Sequence, residues 1–276
     1  MKSYMGITVH RYKILLAVFC IFTTASAHAQ VPELAPLVLK TRYDVTLGGI
    51  NVGRIRITVR EDDFRYHMLI DTKSRGLVDM FSPLQSIATV EGHRTPEGEY
   101  QANLYKSKAD KDGDENDRRV LIQYDADGTI VKRERVPGDD PAWRPVVPLD
   151  QASFADDPMT GFFVHRAALR NAMARNQREA VARTYDGARL ADLTLKVVSR
   201  ARIEIMGNFT DAINTVLTRQ PINGYTPKEL KKFGDGDPIV HIYFSADARM
   251  IPLMATVRVP YLGELKAVMV EYETLK

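Results

Sequence analysis

The stretch Ile55-Arg56-Ile57-Thr58-Val59 alternates apolar and polar side chains. Successive side chains of a β-strand point to opposite faces, so this alternation predicts a strand with one buried face and one face in water. Antiparallel sheets commonly contain such half-exposed strands. The same alternation recurs in twelve further segments, at residues 43–47, 64–72, 86–91, 100–106, 118–124, 129–135, 193–198, 201–205, 212–219, 239–244, 251–258 and 264–272.

Short turn signals separate many of these segments. Gly48-Gly49, Asp127-Gly128 and Asp186-Gly187 are dipeptides that favour tight β-hairpins. We therefore predict a mainly β protein with a single antiparallel sheet that curls or forms an open barrel, similar to a lipocalin or a periplasmic carrier. Such closure protects strand edges, which otherwise invite aggregation.

One segment departs from the strand pattern. Asp157-Pro158 has the residue types of a helix start, with a capping side chain before a proline. The apolar residues that follow recur at helical spacing: Met159, Phe162, Phe163, Leu169 and Met173. This spacing predicts one long amphipathic helix at about residues 158–176, packed against the sheet or into it.

The first 29 residues have the pattern of a secretion signal. Basic residues precede an apolar run at 14–27, and Ala27-His28-Ala29 fits the small-x-small cleavage motif. The alternative is a membrane anchor that stays attached, but a spanning helix needs about 20 apolar residues. We therefore expect cleavage after Ala29 and a periplasmic location. The mature chain then has an N-terminal extension at 30–39 and one β-barrel-like domain at 40–276.

The composition excludes several classes of protein. The chain has 276 residues, 45% hydrophobic and 26% charged, which are ordinary values for a globular protein. Its one cysteine, Cys20, lies in the leader, so a disulfide scaffold is excluded. The leader also holds three of the 38 basic residues and none of the 35 acidic ones. The mature chain is therefore neutral, which gives no reason to expect nucleic-acid binding, and we expect it to be soluble.

Several motifs occur in one order along nearly the whole mature chain. They are the hairpin at 43–53, Thr72-Lys73-Ser74-Arg75-Gly76-Leu77, Asp156-Asp157-Pro158-Met159-Thr160, Tyr185-Asp186-Gly187, Ile242-Tyr243-Phe244, and Arg249-Met250-Ile251-Pro252-Leu253. Together they resemble the domain-of-unknown-function family 3108. Two positions depart from the family pattern, because a serine is more usual than Thr160 and Ala188 displaces an arginine by one position.

The resemblance implies a secreted, mostly antiparallel β domain, curled or barrel-like, in the Gram-negative cell envelope. The family has no established catalytic residues, so none is transferred to this chain. The family also lies near periplasmic carriers and structural proteins that hold apolar ligands inside curved sheets.

The predicted helix carries the candidate ligand-binding residues. Arg166 and Arg170 lie one turn apart on its apolar side, where an unpaired charge is costly. They serve either as an anion clamp for a lipid head group or carboxylate, or as partners of strand carboxylates, or they extend to the sheet rim. Phe162 and Phe163 either fill the core or line an apolar cavity.

Sequence motifs for catalysis and metal binding are missing. The chain has no Gly-x-Ser-x-Gly elbow and no phosphate-binding glycine loop. Its mature histidines lack metal-binding spacing, and His165 is expected to turn away from the apolar stripe. The acidic loop at 110–117 lacks the glycine and glutamate positions of an EF-hand, which favours a solvated turn. We expect no cofactor, no metal and no catalytic activity.

These observations favour a non-catalytic periplasmic protein that binds a lipid or another apolar small molecule in the concavity of its sheet. One alternative is a structural or interaction module that binds a protein partner of the envelope machinery. The other is a hydrolase of lipid or glycan, which requires a cleft with convergent polar groups and shifted pKa values.

Overall fold

A computed structural model describes residues 35–76, 84–111, 118–138, 140–234, 239–259 and 261–275. The predicted leader at 1–29, the first part of the extension and most of the acidic loop lie outside these ranges. Thirteen strands lie within them: β1 (Val38–Leu47), β2 (Ile50–Glu61), β3 (Arg65–Ser74), β4 (Leu84–Arg94), β5 (Tyr100–Lys111), β6 (Arg118–Tyr124), β7 (Ile130–Val136), β8 (Glu179–Tyr185), β9 (Leu190–Ile205), β10 (Asn208–Asn223), β11 (Val240–Ser245), β12 (Pro252–Val259) and β13 (Gly263–Thr274).

All thirteen strands form one antiparallel sheet, which confirms the predicted fold class. Their hydrogen-bonded order is β7-β6-β5-β4-β3-β2-β1-β13-β12-β11-β10-β9-β8, so the first and last strands pair in its middle. The predicted hairpin glycines Gly48, Gly128 and Gly187 all have positive φ angles, as tight turns require. At the two edges, Arg133 on β7 donates hydrogen bonds of 3.2 Å to the Tyr185 hydroxyl of β8 and to the Gly187 carbonyl. Side-chain hydrogen bonds therefore connect the edge strands β7 and β8, which are not paired through their backbones.

The helices differ from the prediction. The described residues contain three short helices: α1 (Leu149–Ala152), α2 (Thr160–Ala174) and α3 (Pro227–Gly234). A helix does lie at the predicted position, because α2 falls within 158–176, but it has 15 residues and is one of the three described, so the prediction of one long amphipathic helix is wrong. The buried positions of α2 include polar residues such as Thr160, His165 and Arg166, because strands pack against it from more than one side. A simple division into one apolar and one polar face does not apply to such a helix.

Strands that are distant in the sheet order contact α2 together. Arg166 reaches Glu61 on β2, and Nε2 of His165 lies 2.9 Å from the Leu193 carbonyl oxygen on β9. A Cβ atom at Gly161 would lie 2.9 Å from the Thr184 side chain on β8, so glycine permits this close approach. The sheet therefore curls around α2, and His165 is buried rather than turned away as predicted.

The core divides into two groups of side chains, and both include residues of α2. The larger group contains Phe163 and inward side chains of β1 to β6, and it extends to β9, β10, β12 and β13. In it, Tyr66 lies against Gly92, where any Cβ atom would come within 2.3 Å of the tyrosine ring. The smaller group joins α2 to β8, β9, β10 and β11: Leu169, Ala180, Leu195, Ile213, Phe244 and Met250.

Candidate functional site

Arg166 forms an internal salt bridge, one of the alternatives that the sequence left open. Its guanidinium donates to Glu61 Oε2 at 3.1 Å and to the Ala35 carbonyl at 2.7 Å, and both charged side chains are buried. Glu61 also accepts the Leu37 N–H at 2.8 Å and the Tyr100 hydroxyl. The guanidinium nitrogens that make these bonds are therefore not available to an external anion. An anion clamp would have to rest on Arg170, whose Nε has no hydrogen-bond partner within the described ranges.

The two candidate phenylalanines have different surroundings. Phe163 is fully buried, and its ring centroid lies 4.7 Å from that of Tyr66 and 5.2 Å from that of Tyr100. It fills the core. Phe162 packs against Phe163 at 5.4 Å and also lines a cavity between α2 and the sheet. Of the two rings, only Phe162 reaches a space that a ligand could enter.

This cavity, the apolar pocket, lies in the concavity of the sheet near the start of α2. Its volume is about 130 Å³, and its lining includes Leu39, Ile57, Met68, Ile70, Phe162 and Ile251. An engineered apolar cavity of about 150 Å³ stays dry and binds benzene. A cavity of this size and lining suits one ring or the end of an acyl chain.

A second and larger cavity, the end cleft, lies at one end of the curl. Its volume is about 580 Å³. The turn between β4 and β5 forms one wall, and the turn between β6 and β7, at Asp127-Gly128, forms another. Segment 154–156, just before α2, and residues 164–171 of α2 itself complete the lining. Polar and aromatic side chains mix in this cleft, in contrast to the apolar pocket.

Two consecutive aspartates lie beside the end cleft with different environments. Asp157 is fully buried, and its Oδ1 accepts the N–H groups of Met159 and Thr160 at 2.9 and 3.0 Å, which satisfies donors at the start of α2. Burial raises the pKa of Asp157. Burial, followed by repulsion from Asp157 and Glu99, raises the pKa of Asp156 to about 7.

The floor of the end cleft holds a polar group with no partner. Tyr124 lines the cleft and is 8% exposed, and within the described residues nothing hydrogen-bonds to its hydroxyl. Burial raises the pKa of Tyr124, and the charges of Asp157 and Asp156 raise it further. A buried hydroxyl without a hydrogen bond costs about 1–3 kcal/mol. Such a group is a candidate ligand contact.

The raised pKa of Asp156 predicts that stability falls as the pH rises. An aspartate in the unfolded chain has a pKa of about 3.9, so the folded state holds this proton over a pH range in which the unfolded state does not. The stabilisation is complete below the unfolded pKa and disappears as the pH rises through about 7. Between pH 6 and pH 8 we expect a loss of about 1.4 kcal/mol from this group, measured by urea denaturation.

A matched pair of variants isolates the contribution of Asp156 to the pH dependence. Asp156→Asn should remove the contribution, whereas Asp63→Asn, at an exposed position, should retain it. Equal slopes of stability against pH in the wild type and in Asp156→Asn would show that Asp156 does not hold its proton in this way.

The sequence did not single out Asp156 or Tyr124 as site residues. Both lie within segments that were interpreted as a helix entry and a strand, and their juxtaposition depends on the curl. The tandem Asp-Asp-Pro was the only available signal. The end cleft also meets the condition set for the hydrolase alternative, since it combines convergent polar groups with a shifted pKa, and that alternative remains a hypothesis.

Clusters suited to a metal ion and helices suited to a membrane are both missing from the described ranges. No group of three or more His, Cys, Asp or Glu side chains there is arranged to hold a metal ion. None of the helices described is both long and apolar enough to cross a bilayer.

Comparison with known proteins identifies one family and one related fold. Residues 42–270 match the family described as "Protein of unknown function (DUF3108)". The chain is similar to the crystal structure of a beta-barrel-like protein of domain of unknown function DUF1849 from Brucella abortus, with a TM-score of 0.50, 12% identity, and coverage of 88% of this chain and 99% of that one. At so low an identity, this similarity shows the barrel-like fold alone.

Two other solved structures are less similar. A candidate lipoprotein from Parabacteroides distasonis has a TM-score of 0.32 and 9% identity, with 87% of this chain and 97% of that one covered. A candidate exported protein with a YmcC-like fold from Bacteroides fragilis has a TM-score of 0.31 and 8% identity, with the same coverage. No curated protein matches the chain.

Proposed function

The chain belongs to DUF3108, a family of unknown function, and from this premise we propose that it is an exported, non-catalytic envelope protein that binds the end of an apolar ligand. The leader pattern at residues 1–29 supports export to the periplasm. The observation that carries the binding function is the apolar pocket, about 130 Å³ of space between α2 and the concave face of the sheet.

The small volume of the apolar pocket favours one class of ligand. Burial of each methylene contributes about 0.8 kcal/mol, so the pocket gains most from a linear chain end or a single ring. A complete lipid does not fit beside α2, and the remainder of such a ligand must lie outside the pocket. The ligand is therefore a molecule with one protruding apolar end, such as a fatty acid.

Filling the apolar pocket with a larger side chain should abolish this binding. Ile57 lines the pocket, so Ile57→Phe occupies space that the chain end of decanoate would enter. We expect calorimetric titration with decanoate to show at least about a tenfold weaker affinity, since about 1.4 kcal/mol of lost burial corresponds to tenfold.

Ile50→Phe is the control because it makes the same change on the same strand. Ile50 is 61% exposed and does not line the pocket, so the affinity for decanoate should be unchanged. Overpacking at Ile57 costs about 1–3 kcal/mol, so both variants are first checked for cooperative unfolding. Equal decanoate affinity in folded Ile57→Phe and the wild type would refute binding in the apolar pocket.

A further inference from the structure

The end cleft has a strongly one-sided charge. Four carboxylate residues line it, and no Lys or Arg does: Glu97, Glu99, Asp127 and Asp156. Arg94 lies outside the lining, where its guanidinium is 5.4 Å from the Tyr100 ring centroid and donates to the Gly98 carbonyl at 3.4 Å. The low-dielectric walls of a cleft concentrate such a field, so the interior attracts positive charge.

Asp156 is half-buried and available to a ligand, unlike the buried carboxylate groups of Glu61 and Asp157. Its backbone N–H donates to the Arg183 carbonyl and its carbonyl accepts the Tyr185 N–H, but no described residue forms a hydrogen bond or ion pair with its side chain. The buried Tyr124 hydroxyl on the same cleft floor is also without a partner in the part of the chain that the structure describes. The two polar groups are independent signs of a missing ligand.

The groups that face Asp156 are all acidic or neutral. Asp157 follows it in the chain, Glu99 lies on the β4–β5 turn, and the phenols of Tyr124 and Tyr66 come from β6 and β3. A bound anion would add to this repulsion. A bound cation would relieve it by pairing with the ionised carboxylate.

We propose that the end cleft binds an organic cation, an ammonium group carried by a small molecule, with Asp156 as its counter-charge. The exposed ring of Phe154, which lines the end cleft, is suited to hold such a cation by cation–π attraction. The volume of about 580 Å³ lies within the range of organic ligand sites. This site is separate from the apolar pocket and does not depend on it.

The wild-type protein provides the first test, with benzylamine and benzyl alcohol as probes. The two molecules share one ring, but only benzylamine carries a charge, and it stays cationic at both pH 6 and pH 8. A carboxyl with a pKa of about 7 is about ten times more ionised at pH 8 than at pH 6. Calorimetric titration should therefore show benzylamine binding about tenfold more tightly at pH 8, with weaker binding of benzyl alcohol at both pH values.

Variants test whether Asp156 is the group responsible. Asp156→Asn should lose the pH dependence and bind benzylamine at least about tenfold more weakly at pH 8, while the exposed control Asp63→Asn should behave as the wild type. The proposal is overturned if benzylamine does not bind the wild type at pH 8. It is also overturned if benzyl alcohol binds as tightly, or if the affinity is the same at both pH values. The wild-type titrations decide the matter even if Asp156→Asn does not fold.

Discussion

Replacing Phe163 with alanine is expected to lower the free energy of unfolding by about 3–5 kcal/mol. The side chain is fully buried, and its ring contacts those of Tyr66 and Tyr100 at centroid distances of 4.7 and 5.2 Å. Truncation would leave a cavity between α2 and the strands around it. Because this contact joins the helix to β3 and β5, its loss should weaken the attachment of the sheet to α2.

Phe64→Ala is the matched control for this measurement. Phe64 is 74% exposed in the turn before β3, so its truncation should change the stability by no more than about 0.5 kcal/mol. Urea denaturation of the three proteins at one pH gives both values. A loss below about 1 kcal/mol for Phe163→Ala would mean that α2 is not the centre of the core.

Separating the buried pair of Arg166 and Glu61 should have an effect of similar size. Removal of one partner leaves the other charge buried without compensation, which costs about 3–5 kcal/mol. Either Arg166→Met or Glu61→Gln should therefore destabilise strongly. Glu61→Gln also weakens the acceptor that the Leu37 N–H and the Tyr100 hydroxyl use.

The double variant distinguishes the ion pair from general damage to the core. When both charges are removed, neither remains unpaired, so the combined loss should be smaller than the sum of the single losses. The exposed pair of Lys132 and Glu134, at 2.7 Å, is the control, and its disruption should cost less than about 1 kcal/mol. Strictly additive losses at Arg166 and Glu61 would contradict a direct interaction between them.

The strands were predictable where their inward residues are large. The pattern at 118–124 matches β6 in full because Ile122 and Tyr124 are buried on either side of the exposed Gln123. The pattern missed β8, whose inward residues Ala180 and Ala182 are small because α2 lies close to them, while its Val181 is 57% exposed. A search for alternating large apolar residues does not detect a strand whose buried side chains are alanines.

Strand β9 shows a second limit of the sequence pattern. It was predicted as two strands, at 193–198 and 201–205, but it is continuous from Leu190 to Ile205. Its pairing with β10 shifts register between Asn214 and Thr215, which face Ser199 and Val197. The intervening Val198 is a bulge, and a bulge reverses the phase of the alternation without ending the strand.

The candidate site depends on contacts between distant parts of the chain. The sequence identified Arg166 as a charge that needs a partner, but that partner, Glu61, lies 105 residues away. Asp157 was recognisable as a helix-capping residue from its position before Pro158. Asp156 is half-buried in the end cleft together with the turns of β4–β5 and β6–β7, and no local pattern in the sequence contains that information.

The central claim is that the apolar pocket beneath α2 receives the end of an apolar ligand. It is tested most directly by following the methyl groups of the protein by NMR during titration with decanoate. We expect the first shifts at Leu39, Ile57, Ile70 and Ile251, which line the pocket, with none at the exposed Ile50. Shifts confined to exposed methyl groups, or no shifts at saturating decanoate, would contradict the claim.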